Sequence, residues 1–260
     1  MRAVRLHQPA IDGLSVDEID VPSLAPGEAL VRVHAAALTR DELDWPLDRL
    51  PAIPSYELAG VVEAVAPGVA DVAPGAAVFA LTPFDRDGNA AEYSAVPAGL
   101  LASKPKNVSH VESAAVPLAA LSAWQGLFDH GRLEAGERVL ITGAAGGVGH
   151  FAVQLARHRG AEIVAPGEGR ADLVFDTAGG ELLSAAQGER VVSVAEEADG
   201  ATYFVVAPNR AQLIELAALV DGGVLKPMID STFPLAEARA AFERTMQRGK
   251  HGKVVLSVTD

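Results

Sequence analysis

Cysteine is absent from this chain of 260 residues. That excludes disulfides and any thiolate-held metal. Histidine is sparse, with 7 scattered residues and no pair at ligand spacing, so a catalytic zinc is not expected. Basic residues are few as well. The 21 Lys and Arg face 34 Asp and Glu, and the net charge of −13 argues against a nucleic acid or an anionic membrane as partner. No apolar run reaches the roughly 18 residues of a membrane helix. The N-terminus, Met1-Arg2-Ala3-Val4-Arg5-Leu6, starts as a strand and lacks the apolar core of a signal peptide. These absences point to a cytoplasmic protein. What is present is ordinary for a globular domain, with 49% hydrophobic and 21% charged residues, enough for one large domain or two modest ones.

The most organised stretch is Glu137–Gly160, ERVLITGAAGGVGHFAVQLARHRG. Val139–Ile141 reads as a strand buried on both faces. Ala144-Ala145-Gly146-Gly147-Val148-Gly149 reads as a glycine-rich turn. Val148, Phe151, Ala152, Leu155 and Ala156 then recur at helix spacing, and Gly160 stands where a C-terminal cap belongs. Strand, glycine turn and helix form the context of a dinucleotide site. Small residues let the backbone approach a pyrophosphate, and the helix N-terminus offers free N–H groups. The first glycine of the usual fingerprint is Ala144.

The first 120 residues read differently. Ala3–Leu6, Leu30–Ala35 and Gly60–Val65 have strand patterns, punctuated by Pro-Gly turns at Pro26, Pro67 and Pro74. Closely spaced strands with such turns imply a small barrel or sandwich. Ser109–His130 turns helical.

Several segments then agree, in order, with one family. Ser55-Tyr56-Glu57-Leu58-Ala59-Gly60-Val61-Val62 is similar to the Gly-His-Glu-x-x-Gly-x-Val segment of medium-chain dehydrogenases and reductases. Val65–Ala77 and Asn89–Tyr93 resemble further landmarks of that family, and Ala144–Gly149, Leu173–Gly180, Phe233–Phe242 and Gly249–Leu256 resemble those of its zinc-free, quinone-oxidoreductase-like branch. The resemblance implies an α/β fold: a GroES-like β-rich barrel domain from 1–120 and 226–260, and a truncated Rossmann-like domain over 121–225. It implies hydride delivery from NADPH to a quinone or an activated C=C bond of a small-molecule substrate, in a possible homodimer. Cofactor contacts are expected from Ser122, Ala145, Gly146, Gly147, Val148, Phe204 and Val206. Tyr56 stands where the zinc branch has histidine, and Thr39 and Glu42 stand near the Asn and Asp of the zinc-free branch.

One part of the pattern is missing. Ala161–Ala165 reads as the second strand of the nucleotide fold, with Glu168 placed for a ribose and Arg170 for a 2′-phosphate. The chain then passes at once to Ala171–Thr177, which resembles the fourth strand. Only Pro166–Arg170 intervenes, a reach of roughly 17 Å, whereas a parallel crossover ordinarily takes about a dozen residues. This predicts a local rearrangement, or the loss of one parallel strand. The adenosine pocket is then damaged, and a second reading opens. The scaffold is a cofactor-independent cyclase, isomerase or lyase, with Tyr56, Thr39 and Glu42 in acid–base roles. A third reading is a non-catalytic binder. In either catalytic reading Tyr56 donates a proton or orients a carbonyl, Thr39 hydrogen-bonds a substrate oxygen, and Glu42 acts as a base. Glu57 reads as a buried, hydrogen-bonded carboxylate, and Lys250 and Lys253 as solvated.

Overall fold

The computed structural model describes residues 1–45 and 48–259. Pro46, Leu47 and Asp260, which fall within the segments expected for the β-rich part, lie outside the described residues. Strands β1 (Arg2–Leu6) and β2 (Leu14–Glu18) pair antiparallel. A seven-stranded sheet follows from β3 (Glu28–Leu38), β4 (Glu57–Val65), β5 (Ala77–Leu81), β6 (Tyr93–Pro97) and β7 (Ala102–Ser103). The long β3 carries it. One half of β3 pairs with β6, and two register shifts against β4 bend the strand so that both of its edges are used. Helices α1 (His110–Ala114) and α2 (Pro117–Trp124) leave this sheet, and α2 runs on through Gln125–His130 as a wider π turn. Ser109 starts α1 with a reciprocal capping box to Glu112.

The second large sheet is wholly parallel. It contains β8 (Arg138–Ile141), β9 (Glu162–Val164), β10 (Ala171–Asp176), β11 (Gly188–Ser193) and β12 (Thr202–Tyr203), in the order β12-β11-β10-β8-β9. Helix α3 (Gly149–Arg159) connects β8 to β9, and α4 (Gly180–Ala185) connects β10 to β11. Helix α5 (Arg210–Asp221) leads back to the first large sheet through β13 (Ile229–Pro234), α6 (Ala238–Met246) and β14 (Lys253–Ser257). Strand β14 inserts between β13 and β3, so the C-terminus completes the sheet that the N-terminal part begins. This is a GroES-like sheet joined to a Rossmann-like parallel sheet. The strand expected over Tyr203–Val206 is shorter than its apolar pattern suggested, because only Thr202 and Tyr203 find partners on β11.

The expected disruption at Pro166–Arg170 does not occur. Strands β9 and β10 both remain parallel to β8. The reason is the register. Strand β9 ends with Val164 level with Leu140, and β10 is already paired by Leu173 level with Val139. With so short a β9, the chain returns only a few residues along the sheet and two strand spacings, about 10 Å, across it. Ala165–Arg170 reaches roughly 20 Å when extended. Arg138, at the start of β8, holds this link by donating to the carbonyls of Glu168 (2.6 Å) and Arg170 (2.8 Å). What is gone is a third strand beyond β9, so β9 is the sheet edge. The face carrying Leu140, Val164, Ala171 and Val174 keeps only a small apolar cluster. The opposite face packs Val139, Ile141, Leu173 and Phe175 against α3 in the main core.

Candidate active site

A cavity of about 1020 Å³ opens between the two large sheets. Its position follows from topology. Strands β9 and β10 leave β8 on opposite sides, which makes the carboxyl end of β8 a switch point where ligands bind. The turn Gly143–Val148 forms one wall. Gly149, the last residue of the fingerprint, cannot be larger: an added Cβ would stand 2.1 Å from the Gly143 carbonyl oxygen. The turn is closed by Gly146 N–H donating to that same carbonyl at 2.8 Å, and α3 starts directly after it. Thr177, Val194, Phe204 and Val206 continue the wall along the carboxyl ends of β10, β11 and β12.

The opposite wall comes from the first large sheet and α2. Thr39, at the end of β3, lines the cavity, as do Ser122, Trp45 and Phe84. Lys253 enters from β14. Its ammonium donates to Thr39 Oγ1 at 3.1 Å and forms an ion pair with the Glu57 carboxylate. The other Glu57 oxygen accepts from the N–H of Leu118 at 2.8 Å, in the first turn of α2. That amide has no partner within its own helix, so the carboxylate satisfies it. Glu57 is therefore the buried, hydrogen-bonded carboxylate expected from the sequence. Lys253 is not the solvated residue expected: it is only 4% exposed. Its stem packs against the glycine turn, since an added Cβ on Gly147 would meet Lys253 Cδ at 2.9 Å. Gly252 permits this entry with φ +81° and donates its N–H to the Ala145 carbonyl at 3.1 Å.

The residues expected to act divide into two groups. Ala145, Gly146, Gly147, Val148, Ser122, Phe204, Val206 and Thr39 all meet on the cavity. Ser122 also donates its hydroxyl back to the Leu118 carbonyl at 2.7 Å. Tyr56, Glu42 and Arg170 are not among the lining residues. Tyr56 is fully buried behind the wall, with its ring against Phe84 and Trp45 and its hydroxyl 3.3 Å from Arg49. Burial pushes its phenol above the usual range, so it is a poor proton donor to the cavity. Glu42 is 1% exposed, and among the described residues neither carboxyl oxygen has a hydrogen-bond partner. Burial holds its pKa well above the ordinary carboxylate range; Lys253 opposes this and Glu57 reinforces it.

Arg170 is corrected outright. It precedes β10 and so lies at the amino end of the sheet, opposite the glycine turn, with its guanidinium 3.3 Å from the Gly188 carbonyl. Glu168 is likewise not among the lining residues, and its carboxylate accepts from Ala165 N–H at 2.8 Å and caps the link. Lys250 and Lys253, expected from the sequence to be solvated, and Arg40, to which no site role was given, now join the site. Arg40, Lys250 and Lys253 all line the cavity. The one available signal was Glu57 itself: a carboxylate in an apolar strand needs a cation, and Lys253 opens another apolar strand.

Among the described residues no set of zinc donors is brought together. The chain has no cysteine, and among the described residues no three His, Asp or Glu side chains cluster. Glu57 instead holds an ammonium. No helix of the described residues is long and apolar enough to cross a membrane.

This fold and cavity recur in known proteins. The model of the alcohol dehydrogenase GroES-like domain matches residues 25–106, and that of the zinc-binding dehydrogenases matches 152–256. A probable zinc-binding mitochondrial oxidoreductase of Arthroderma benhamiae is 31% identical over 299 residues, covering 91% of this chain and 90% of that protein. The 2-methylene-furan-3-one reductase of Solanum lycopersicum is 31% identical, over 95% of this chain and 76% of its own. Among solved structures, the quinone oxidoreductase from Coxiella burnetii superposes with a TM-score of 0.90 at 25% identity, covering 100% of this chain and 99% of that one. The chain belongs to the medium-chain dehydrogenase/reductase superfamily of oxidoreductases. An alignment of 299 residues exceeds the whole chain, so the relative carries residues absent here.

Proposed function

We propose that the chain is a zinc-independent reductase of quinones or activated C=C bonds, with NADPH as reductant. The observation that carries this is the cavity at the end of β8, with the glycine-rich turn on one wall and the Thr39–Lys253–Glu57 chain on the other. The curated relatives include an NADPH-dependent alkenal/one oxidoreductase and quinone oxidoreductases. When bound, the nicotinamide supplies the hydride.

The protein's own residues supply the rest. Thr39 accepts from Lys253 and so turns its hydroxyl proton outward, to a carbonyl oxygen in the cavity. Lys253, fixed by Glu57, polarises that hydroxyl and is the proton source for the reduced product. Trp45 and Phe84, edge to face at 5.2 Å, offer an apolar aromatic corner to a conjugated acceptor. A homodimer joined along β12 completes this reading, since Tyr203 and Val205 stand exposed there.

The test is oxidation of NADPH by a series of quinones and enones after exhaustive chelation. Turnover that survives chelation, with deuterium from the 4-position of the cofactor found in the product, is the expected result. Turnover restored only by added zinc, or conversion of a substrate with no nucleotide at all, overturns the proposal.

A further inference from the structure

The cavity serves only one half of a dinucleotide. Its lining passes directly from Val148 to Thr177, and among the described residues nothing on α3, β9 or the following link contributes. The adenosine half of a dinucleotide lies past the carboxyl end of the second strand, which here is β9. Neither of the two ligands expected there from the sequence is among the lining residues. Glu168 caps Ala165, and Arg170 is carried by the link to the opposite end of the sheet. Arg138, the other nearby cation, is engaged by the carbonyls of that link. No third strand stands beyond β9 to wall an adenine.

The other half is built fully. The glycine turn, Thr177, Phe204 and Val206 surround a nicotinamide-sized end. Three cations, Arg40, Lys250 and Lys253, and one carboxylate, Asp41, line the same cavity in a protein of net charge −13. Lys253 is paired with Glu57, but among the described residues neither Arg40 nor Lys250 has a carboxylate partner. Burial, then Arg40 and Lys253, hold the Lys250 amine below its ordinary pKa, against a smaller opposing pull from Asp230. Two unpaired cations beside a phosphate-binding turn describe a receptor for a phosphate attached to nicotinamide riboside.

Resting on the reductase reading above, we infer that this chain takes reduced nicotinamide mononucleotide as hydride donor about as well as the full dinucleotides, and draws little recognition from adenosine or its 2′-phosphate. The redox balance is unchanged. The dihydropyridine loses a hydride from C4 and becomes a pyridinium; the acceptor gains that hydride at one end of its conjugated system and a proton at the other. Adenosine is a remote, non-reacting part, and it raises rate or affinity only where the protein contacts it.

Two measurements on the full chain test this. Calorimetry is run with oxidised nicotinamide mononucleotide, NADP⁺, NAD⁺ and 2′,5′-ADP. Steady-state rates are taken with the reduced mononucleotide and NADPH against one quinone. The expected result is that the mononucleotide lies within about tenfold of NADP⁺ in Kd and of NADPH in kcat/KM, that 2′,5′-ADP does not compete, and that Arg40→Gln or Lys250→Gln weakens the mononucleotide about tenfold. Competition by 2′,5′-ADP, or a preference for NADPH on the order of 10³-fold, overturns the inference and leaves the reductase reading standing. If no nicotinamide nucleotide binds or is oxidised, the reductase reading itself falls, and the inference with it.

Discussion

The Lys253 ammonium rests on the Glu57 carboxylate at the cavity wall, with side-chain exposures of 5% and 1%. The two residues come from opposite ends of the chain, on β14 and β4. Breaking such a pair from one side strands a buried charge, at a cost of about 3–5 kcal/mol. Lys253→Met is expected to lose stability of that order in urea titrations. The double variant Lys253→Met with Glu57→Gln is expected to recover most of it, since the carboxamide still accepts from Leu118 N–H. A double variant no more stable than Lys253→Met alone would show that the pair is not what Lys253 satisfies.

In the proposed mechanism Thr39, which accepts from Lys253, links this pair to the acceptor. Thr39→Val keeps the shape and removes the hydroxyl, and is expected to lower kcat/KM for the acceptor by about 10²-fold, as for loss of one oriented donor. Thr39→Ser should restore turnover to within about tenfold. Nucleotide affinity should be unchanged in both, as read by calorimetry. Equal activity in Thr39→Val and the parent removes Thr39 from the mechanism.

Arg170→Ala is expected to leave the affinity for NADPH, and its ratio to NADH, unaltered, because the guanidinium lies at the wrong end of the sheet. Arg138→Ala should instead lower stability by roughly 1 kcal/mol, since it removes charged donors from two link carbonyls in a partly exposed position. Titration with both nucleotides and one urea curve per variant decide the matter.

Two desolvated groups, one half-buried and one fully buried, impose opposite pH dependences. His110 stacks on His34 at 4.4 Å between ring centroids. Burial, aided by His34 and Lys104, lowers its pKa from 6.5 to about 4. The unfolded chain therefore takes up this proton first as the pH falls, and the His110 contribution to stability is lost between pH 6.5 and about 4. His110→Phe should flatten that slope in pH-resolved thermal melts, and an unchanged slope would exclude His110.

Glu42 acts in the other direction. Its folded pKa is raised above the ordinary 4.5, so ionisation of the unfolded chain favours unfolding as the pH rises past that value. The stability of Glu42→Gln relative to the parent should therefore climb with pH from about 4.5 upward. A difference constant in pH would show that Glu42 is ionised in the fold.

Local order was legible in the chain itself. The glycine turn between an apolar strand and an amphipathic helix is dictated by sterics: Gly149 has no space for a Cβ, and Gly160 ends α3 in the left-handed region. The succession of landmarks from Ser55 to Leu256 was enough to name the family, the two kinds of sheet, and most of one wall of the cavity. The absence of cysteine alone removed thiolate zinc chemistry. Three other matters depended on where strands stop and how they register. Whether a short link can join β9 to β10 turned on β9 being short enough for the return to be small. Whether Arg170 meets a phosphate turned on which end of the sheet that link reaches. Whether Lys253 is solvated turned on the insertion of β14 beside β3, which brings a cation from the end of the chain onto Glu57 and Thr39. Periodicity records which residues are buried together along one segment. It carries no record of which distant segment supplies the counter-charge, because that choice is made by sheet order and the electrostatic demand of a carboxylate removed from water.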